Sequence, residues 1–345
     1  QTGSGKSYFL KFFLNSFAKK RPKIPFMLFE FKGEYRSLKE NIPNLHIIKP
    51  GVNFRVNVFD PDIFDEDIFV EVLFNSLKSC NIIHSDNSEF SPQMEKVLVD
   101  CLNQICCRSS EKSWNKLFEI LDQYAIRYNE KIPNLEQTVI SIKNRLRRYV
   151  SGPLRVLFSD QVESKKSFMK ISDLLKISCV IELGNILKLG GSKEDVLFFA
   201  NLMLKWVWEK NMQRNSTNKL RHITIVEDTS YIASNQLLKN SKLSTYLEDI
   251  ALLLRGKGEA LITLTTTLDI SKNIILNSGS KFFFKFNEKK EEILHNLGIE
   301  KHNAIDIGEL ITGYSLVKID SISKTFLLKT YYLNEKKWNE NKSNN

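Results

Sequence analysis

Residues 1–10 read QTGSGKSYFL, and the fold turns on how that stretch is taken. A phosphate-binding loop has the pattern G-x-x-x-x-G-K-[ST]. Gly5, Lys6 and Ser7 fill its last three places, and its first glycine would fall one position before Gln1. The expectation is a truncated record or gene fragment that starts inside its own motif, not a degenerate loop. In such a loop backbone N–H groups wrap the phosphates and the following helix N-terminus adds positive potential. Thr2, Gly3, Ser4 and Gly5 would cradle a nucleotide. Lys6 would reach its β and γ phosphates, and the Ser7 hydroxyl would bind Mg²⁺. A chance glycine-rich turn is the bland alternative. Against it stands the run that follows, with Phe9, Leu10, Phe13, Leu14 and Phe17 at the spacing of a helix with one buried face.

Outward from the loop, IPFMLFEF (24–31) is a compact apolar run bounded by prolines and Gly33, and reads as a buried strand. Loop, helix and strand thus follow the order of a βαβ unit. Residues 60–165 differ. DPDIFDEDIFVEVLF (60–74), SPQMEKVLVDCLNQIC (91–106), SWNKLFEILDQYAIRY (113–128) and LEQTVISIKNRLRRYV (135–150) all have helical period. Ser91 and Ser113 read as N-caps, with Pro92 at the first helical position.

The α/β pattern then resumes. CVIELG (179–184), HITIVED (222–228), EALITLTTT (259–267) and SKFFFKF (280–286) read as strands. The segments 194–213 and 243–258 read as helices, the second closed by glycine. GYSLVKI (313–319) and TFLLKTYYL (325–333) read as a final hairpin. Alternation of this kind predicts an α/β fold with a mainly parallel sheet and helices on both faces. The organisation expected is a discontinuous core over 1–59 and 166–335, an all-helical insertion over 60–165, and a disordered tail over 336–345.

Composition sets the outer bounds. Of 345 residues 42% are hydrophobic and 26% charged, as in a soluble globular protein. No apolar run reaches the length of a membrane span, the polar first residues do not read as a signal peptide, and a cytoplasmic location with no membrane partner is expected. Net charge is +10, from 50 Lys and Arg against 40 Asp and Glu. That suits a polyanion partner, although the Lys-, Asn- and Ile-rich composition also fits AT-rich coding. Cys80, Cys101, Cys106, Cys107 and Cys179 form no C-x-x-C pair and read as buried thiols.

Phosphoryl transfer needs an acid at the metal and a residue to orient the attacking water. HITIVEDTS supplies both at a strand end. Glu227 would support Mg²⁺ through its water shell, and Asp228 would polarise the water. Arg255, in LLLRGKG, is a candidate arginine finger for a neighbouring subunit's γ-phosphate. It also suits a helix C-terminus by charge alone. Phe12, Phe13, Trp206 and Trp208 read as core, and the cluster Arg145, Arg147 and Arg148 as a solvated helix face.

Together these stretches resemble the HerA branch of the HerA–FtsK superfamily of ring-forming ATPases. FEFKGEYRSL (29–38) resembles its strand followed by a Gly-Glu-Tyr turn, here Gly33, Glu34 and Tyr35. VNVFD (56–60) resembles its Asn-Pro-hydrophobic segment, with Val58 in place of proline. FSPQMEKVL (90–98) and NRLRRYVSGPLRVLF (144–158) resemble the start and end of its helical insertion. IVEDTSYI (225–232) stands where it has two acids, and LRGKGEALITLTTTLDIS (254–271) where it has an arginine, a glycine and a strand ending in glutamine. Thr265 occupies that sensor glutamine's place, and the acid pair is Glu-Asp where Glu-Glu is commoner. The resemblance implies a RecA-like P-loop NTPase core, ATP and Mg²⁺ as cofactors, and Asp228, Glu227, Arg255 and Thr265 as catalytic residues. It implies a DNA translocase or helicase acting on double-stranded DNA, as a homo-hexamer, in DNA-end processing or defence. Archaeal relatives work with the nuclease NurA. Two other readings stay open: a conjugative or type IV secretion ATPase, and a nucleotide-binding scaffold with little hydrolysis.

Overall fold

Strand β1 (Phe26–Glu30) shows why the chain forms two apolar layers. Its residues are all buried, and period-two alternation sends Met27 and Phe29 to one face of the sheet and Phe26 and Leu28 to the other. A strand wet on neither face belongs at the centre of a sheet. In the computed structural model, which describes residues 3–62, 64–80, 90–158, 170–229, 232, 246–267, 270–286, 307–322 and 324–331, β1 takes that place. The sheet order is β2-β3-β1-β4-β5, with β2 at His46–Ile48, β3 at Cys179–Glu182, β4 at His222–Val226 and β5 at Glu259–Thr263. All four pairings are parallel, so the carboxyl ends of the strands line one edge.

Helix α1 (Lys6–Lys20) covers one face. Leu10 and Leu14 pack with Phe26, Leu28, Val180, Ile223 and Ile225. Phe13 joins this layer from its margin, and Phe12 is only half-buried. The other face meets the helix Lys193–Met212, which starts with a capping box between Ser192 and Asp195. Trp206 is buried in this layer and Trp208 lies at its edge.

The helical segment supplies α2 (Glu66–Ser79), α3 (Pro92–Asn103), α4 (Trp114–Tyr128) and α5 (Leu135–Val150). Ser91 accepts from Met94 N–H and Ser113 from Lys116 N–H, the two N-caps expected. A π-turn, Gln104–Arg108, extends α3. The apolar faces of α2 to α5 merge with Met27, Phe29 and Trp206 into one continuous cluster. Arg147 and Arg148 are exposed, as a solvated helix face requires, and Arg145 is half-buried, but Arg148 also has a partner. Its guanidinium lies 3.1 Å from the buried Asp195, which also accepts from Tyr149 Oη at 2.7 Å. That ties α5 to the cap of the long helix.

SKFFFKF is a strand, β6 (Ser280–Phe283), but not of the parallel sheet. It pairs antiparallel with β7 (Tyr314–Ile319), which pairs with β8 (Phe326–Lys329). This small sheet leans on the start of α1: Phe9 meets Phe282 and Phe284 at ring distances of 4.9 and 5.7 Å, and Tyr8 Oη donates to Tyr331 O at 3.1 Å. The proposed tail 336–345 and Thr2 lie outside the described residues. Among the described residues no helix is long and apolar enough to cross a membrane. Cys80, Cys101, Cys106 and Cys179 are buried free thiols and Cys107 is half-buried; burial pushes Cys101, Cys106 and Cys179 up to about 12.

Candidate active site

Gly3 and Gly5 both take left-handed backbone, φ 81° and 97°, which costs glycine nothing and most residues a good deal. Gly5 needs the freedom twice over, because a Cβ there would lie 3.3 Å from the backbone nitrogen of Gly313. The loop thereby turns directly into α1 and leaves the first N–H groups of the helix unpaired by any helix carbonyl. Lys6 Nζ donates to Ser4 Oγ at 3.1 Å. Burial pulls the Lys6 ammonium below its ordinary range, while the charge of Asp228 opposes that shift.

The carboxyl end of β4 delivers the acid pair to this loop. Ser7 Oγ donates to Glu227 Oε1 at 2.7 Å, joining residues 220 apart in sequence. Glu227 is 4% exposed. Burial raises its carboxyl above the usual range, and the hydrogen bonds from Ser7 and Tyr35 hold it down in part. Its second oxygen, Oε2, is buried without a hydrogen-bond partner among the described residues. Asp228 follows with φ 49°, an uncommon conformation for a residue other than glycine. It turns the side chain out of the strand line, where it is partly exposed and lies 3.4 Å from Lys32 Nζ.

A hydroxyl and a carboxylate side by side, with one carboxylate oxygen still lacking a partner, fit a hard divalent cation that keeps most of its water. Mg²⁺ is such an ion, taking one or two protein oxygens together with phosphates. Ser7 and Glu227 are the residues that would hold it.

The other two predicted site residues are placed differently. Thr265 lies just beyond β5, on the same edge as the acid pair, where Thr229 N–H donates to Leu264 O at 2.8 Å. Its hydroxyl is engaged in its own turn, donating to Thr267 O at 2.6 Å and accepting from Thr267 N–H at 3.2 Å. Arg255 precedes β5 and is exposed, at the amino edge of the sheet. The structure therefore gathers Gly3 to Ser7, Glu227, Asp228 and Thr265 on one edge and leaves Arg255 on the other.

The sequence assigns no role in the site to two contributors, although Tyr35 is named there as part of the Gly-Glu-Tyr turn. Tyr35 Oη donates to Glu227 Oε1 at 3.0 Å, and Glu30 accepts from the N–H groups of Lys32 and Gly33 at 2.7 to 2.8 Å. Burial raises the Glu30 carboxyl, with the Gly33 and Lys32 N–H groups opposing. The signal was available in FEFKGEYR, an acid closing a buried strand before a glycine turn. Its meaning depends on β1 lying beside β4, which no local pattern states.

A family model described as "Helicase HerA, central domain" matches residues 1–207. Among solved structures the chain is similar to VirB4 of Thermoanaerobacter pseudethanolicus, at 13% identity and a TM-score of 0.69, covering 97% of this chain and 88% of that one. It is also similar to the bacterial conjugative coupling protein TrwB, unbound and with the ATP analogue ADPNP. Each comparison gives 13% identity, a TM-score of 0.63, and coverage of 96% and 83%. These likenesses show a shared fold, the RecA-like P-loop ATPase core. No curated protein matches in sequence.

Proposed function

The chain belongs to the HerA central-domain family, a family of ATPases, and from that premise we propose that it is an ATP-driven translocase of double-stranded DNA. It works as a homo-hexameric ring in the cytoplasm, with a nuclease partner in DNA-end processing or defence. The observation that carries the hydrolytic part is the 2.7 Å contact between Ser7 and Glu227. It joins the phosphate loop to the acid pair on one edge of the sheet.

In this reading the loop N–H groups and Lys6 hold the phosphates. Ser7 and Glu227 hold Mg²⁺, which when bound neutralises charge on the phosphate oxygens. Asp228, one residue on and turned toward solvent, orients and polarises the attacking water. Thr265 must release its own turn to read the γ-phosphate, and it reaches less far than a glutamine would. Lys6→Ala removes the loop's cation. ATP affinity is expected to fall about 10- to 100-fold, the scale of hydrogen bonds to a charged group, in a protein that stays folded. Calorimetry checks this, and unchanged affinity would remove Lys6 from the site.

Support for DNA comes from the family and from the net charge of +10. A translocase must let go of every base pair it passes, so its contacts go to phosphates and not to base edges. Affinity for duplex is expected to fall by roughly a thousandfold or more between 50 and 200 mM salt if about six phosphates are contacted. It should differ little between unrelated sequences. Fluorescence anisotropy over a salt series tests both statements, and an affinity flat with salt points to a protein substrate instead.

A further inference from the structure

The ring of Tyr35 is fully buried in the layer beneath α1, beside Leu10, Leu14 and Leu38. Its hydroxyl reaches across to Glu227 Oε1 at 3.0 Å, and Ser7 Oγ donates to the same oxygen at 2.7 Å. Two donors on one oxygen leave Oε2 as the buried oxygen without a partner among the described residues. The terminal torsion of a glutamate is broad and roughly two-fold, so the backbone of β4 does not itself decide which way the carboxylate plane lies. The donors decide it.

The two donors are not equivalent. Ser7 belongs to the loop that must close on a nucleotide. Tyr35 belongs to the packed layer, and the turn that carries it is held at several points. Lys32 N–H and Gly33 N–H both donate to the Glu30 carboxylate. Gly33 has φ 73°, a conformation suited to glycine. Arg36 grips Glu182 with two nitrogens at 2.5 and 2.6 Å. Glu30 and Glu182 are register partners at the ends of β1 and β3, so the turn is anchored to two neighbouring strands.

We propose that Tyr35 is a positioning residue for metal binding: its hydroxyl holds the Glu227 carboxylate by Oε1 and so reserves Oε2 for the hydration shell of the nucleotide's Mg²⁺. This rests on the reading of Glu227 as the acid that supports the metal. A hydroxyl on a buried ring is a fixed donor, and a carboxylate fixed before the metal arrives loses less freedom on binding it.

The test uses the full chain with Tyr35→Phe, which keeps the buried ring and leaves Ser7 as a donor to Oε1. ATP affinity is measured by calorimetry in EDTA. The affinity of the ATP-bound protein for Mn²⁺, a paramagnetic probe, is measured by electron paramagnetic resonance. Metal-free ATP affinity is expected to stay within about twofold of the wild type. Mn²⁺ affinity is expected to drop about tenfold, the scale of one hydrogen bond to a charged acceptor. In a Glu227→Gln background the Tyr35→Phe change should add almost nothing. Equal Mn²⁺ affinity in wild type and Tyr35→Phe overturns the proposal, and so does an undiminished effect of Tyr35→Phe in the Glu227→Gln background. If Glu227→Gln itself leaves Mn²⁺ affinity unchanged, the reading of the acid fails as well, a result distinguishable from the failure of Tyr35 alone.

Discussion

Asp228→Asn is expected to leave ATP bound and to cut turnover by at least about a hundredfold, the usual contribution of a positioned base. The substitution keeps the shape of the side chain and removes the charge that polarises water. It also keeps the backbone tractable, because Asn tolerates the left-handed conformation at φ 49° as well as Asp does. Lys32 loses its ionic partner at 3.4 Å, but an ion pair this exposed contributes little to stability, so the fold should hold. Calorimetry for binding and phosphate release for turnover separate the two effects. Near-normal turnover would move the water-orienting role to Glu227. That outcome is disfavoured by position: Glu227 is 4% exposed and already bonded to Ser7 and Tyr35, whereas Asp228 faces the space beyond the strand end.

The contrast between these neighbours explains what sequence can and cannot say about such a site. The loop, the acid pair and the strands around them are local signals. Gly5 before an amphipathic helix and two acids closing an apolar strand are legible because each depends on residues within one element. The caps Ser91 and Ser113 are legible for the same reason. The hydrogen bond of Tyr35 to Glu227 joins residues 192 apart, and it exists because β1 and β4 are neighbours. Strand order is a property of the whole sheet. Strand β2 is three residues long, too short for any period to register. SKFFFKF shows its strand character plainly, but nothing in seven residues says whether partners run parallel or antiparallel. The merging of α2 to α5 with the sheet layer is likewise invisible to periodicity, which reports that a helix has a buried face and not what it is buried against.

Arg255→Ala is expected to lower turnover by roughly 10³- to 10⁵-fold, the effect of an arginine supplied across a subunit boundary, while ATP binding in the same subunit is unchanged. Geometry keeps Arg255 from reaching the acid pair of its own subunit, so a finger role requires a boundary. Arg255 lies at the amino edge of the sheet, and β5 (Glu259–Thr263) must be traversed to reach the edge that carries Asp228. Five strand residues at about 3.3 Å each are about 16 Å, more than an arginine side chain spans. The turn that bears it is nonetheless built to hold a shape. Gly258 has φ 83°, and a Cβ there would fall 2.5 Å from Lys219 O. Thr217 N–H donates to Gly256 O at 2.8 Å, and Lys257 Nζ donates to Arg214 O at 2.9 Å. Beneath it, buried Glu259 accepts from Thr224 Oγ1 and Asn211 Nδ2, at 2.7 and 2.9 Å, with His222 Nδ1 at 2.8 Å. An exposed arginine on a braced turn is presented outward, as a contact with a second copy requires. Mixing tests this directly. Subunits with Arg255→Ala are expected to be nearly inactive alone, and so are subunits with Asp228→Asn. In mixed rings some interfaces join an intact Asp228 to an intact Arg255, and activity should partly return. If mixed rings form and no activity returns, Arg255 does not act across the boundary, and a cation complementing the end of the helix Tyr246–Leu253 becomes the better account.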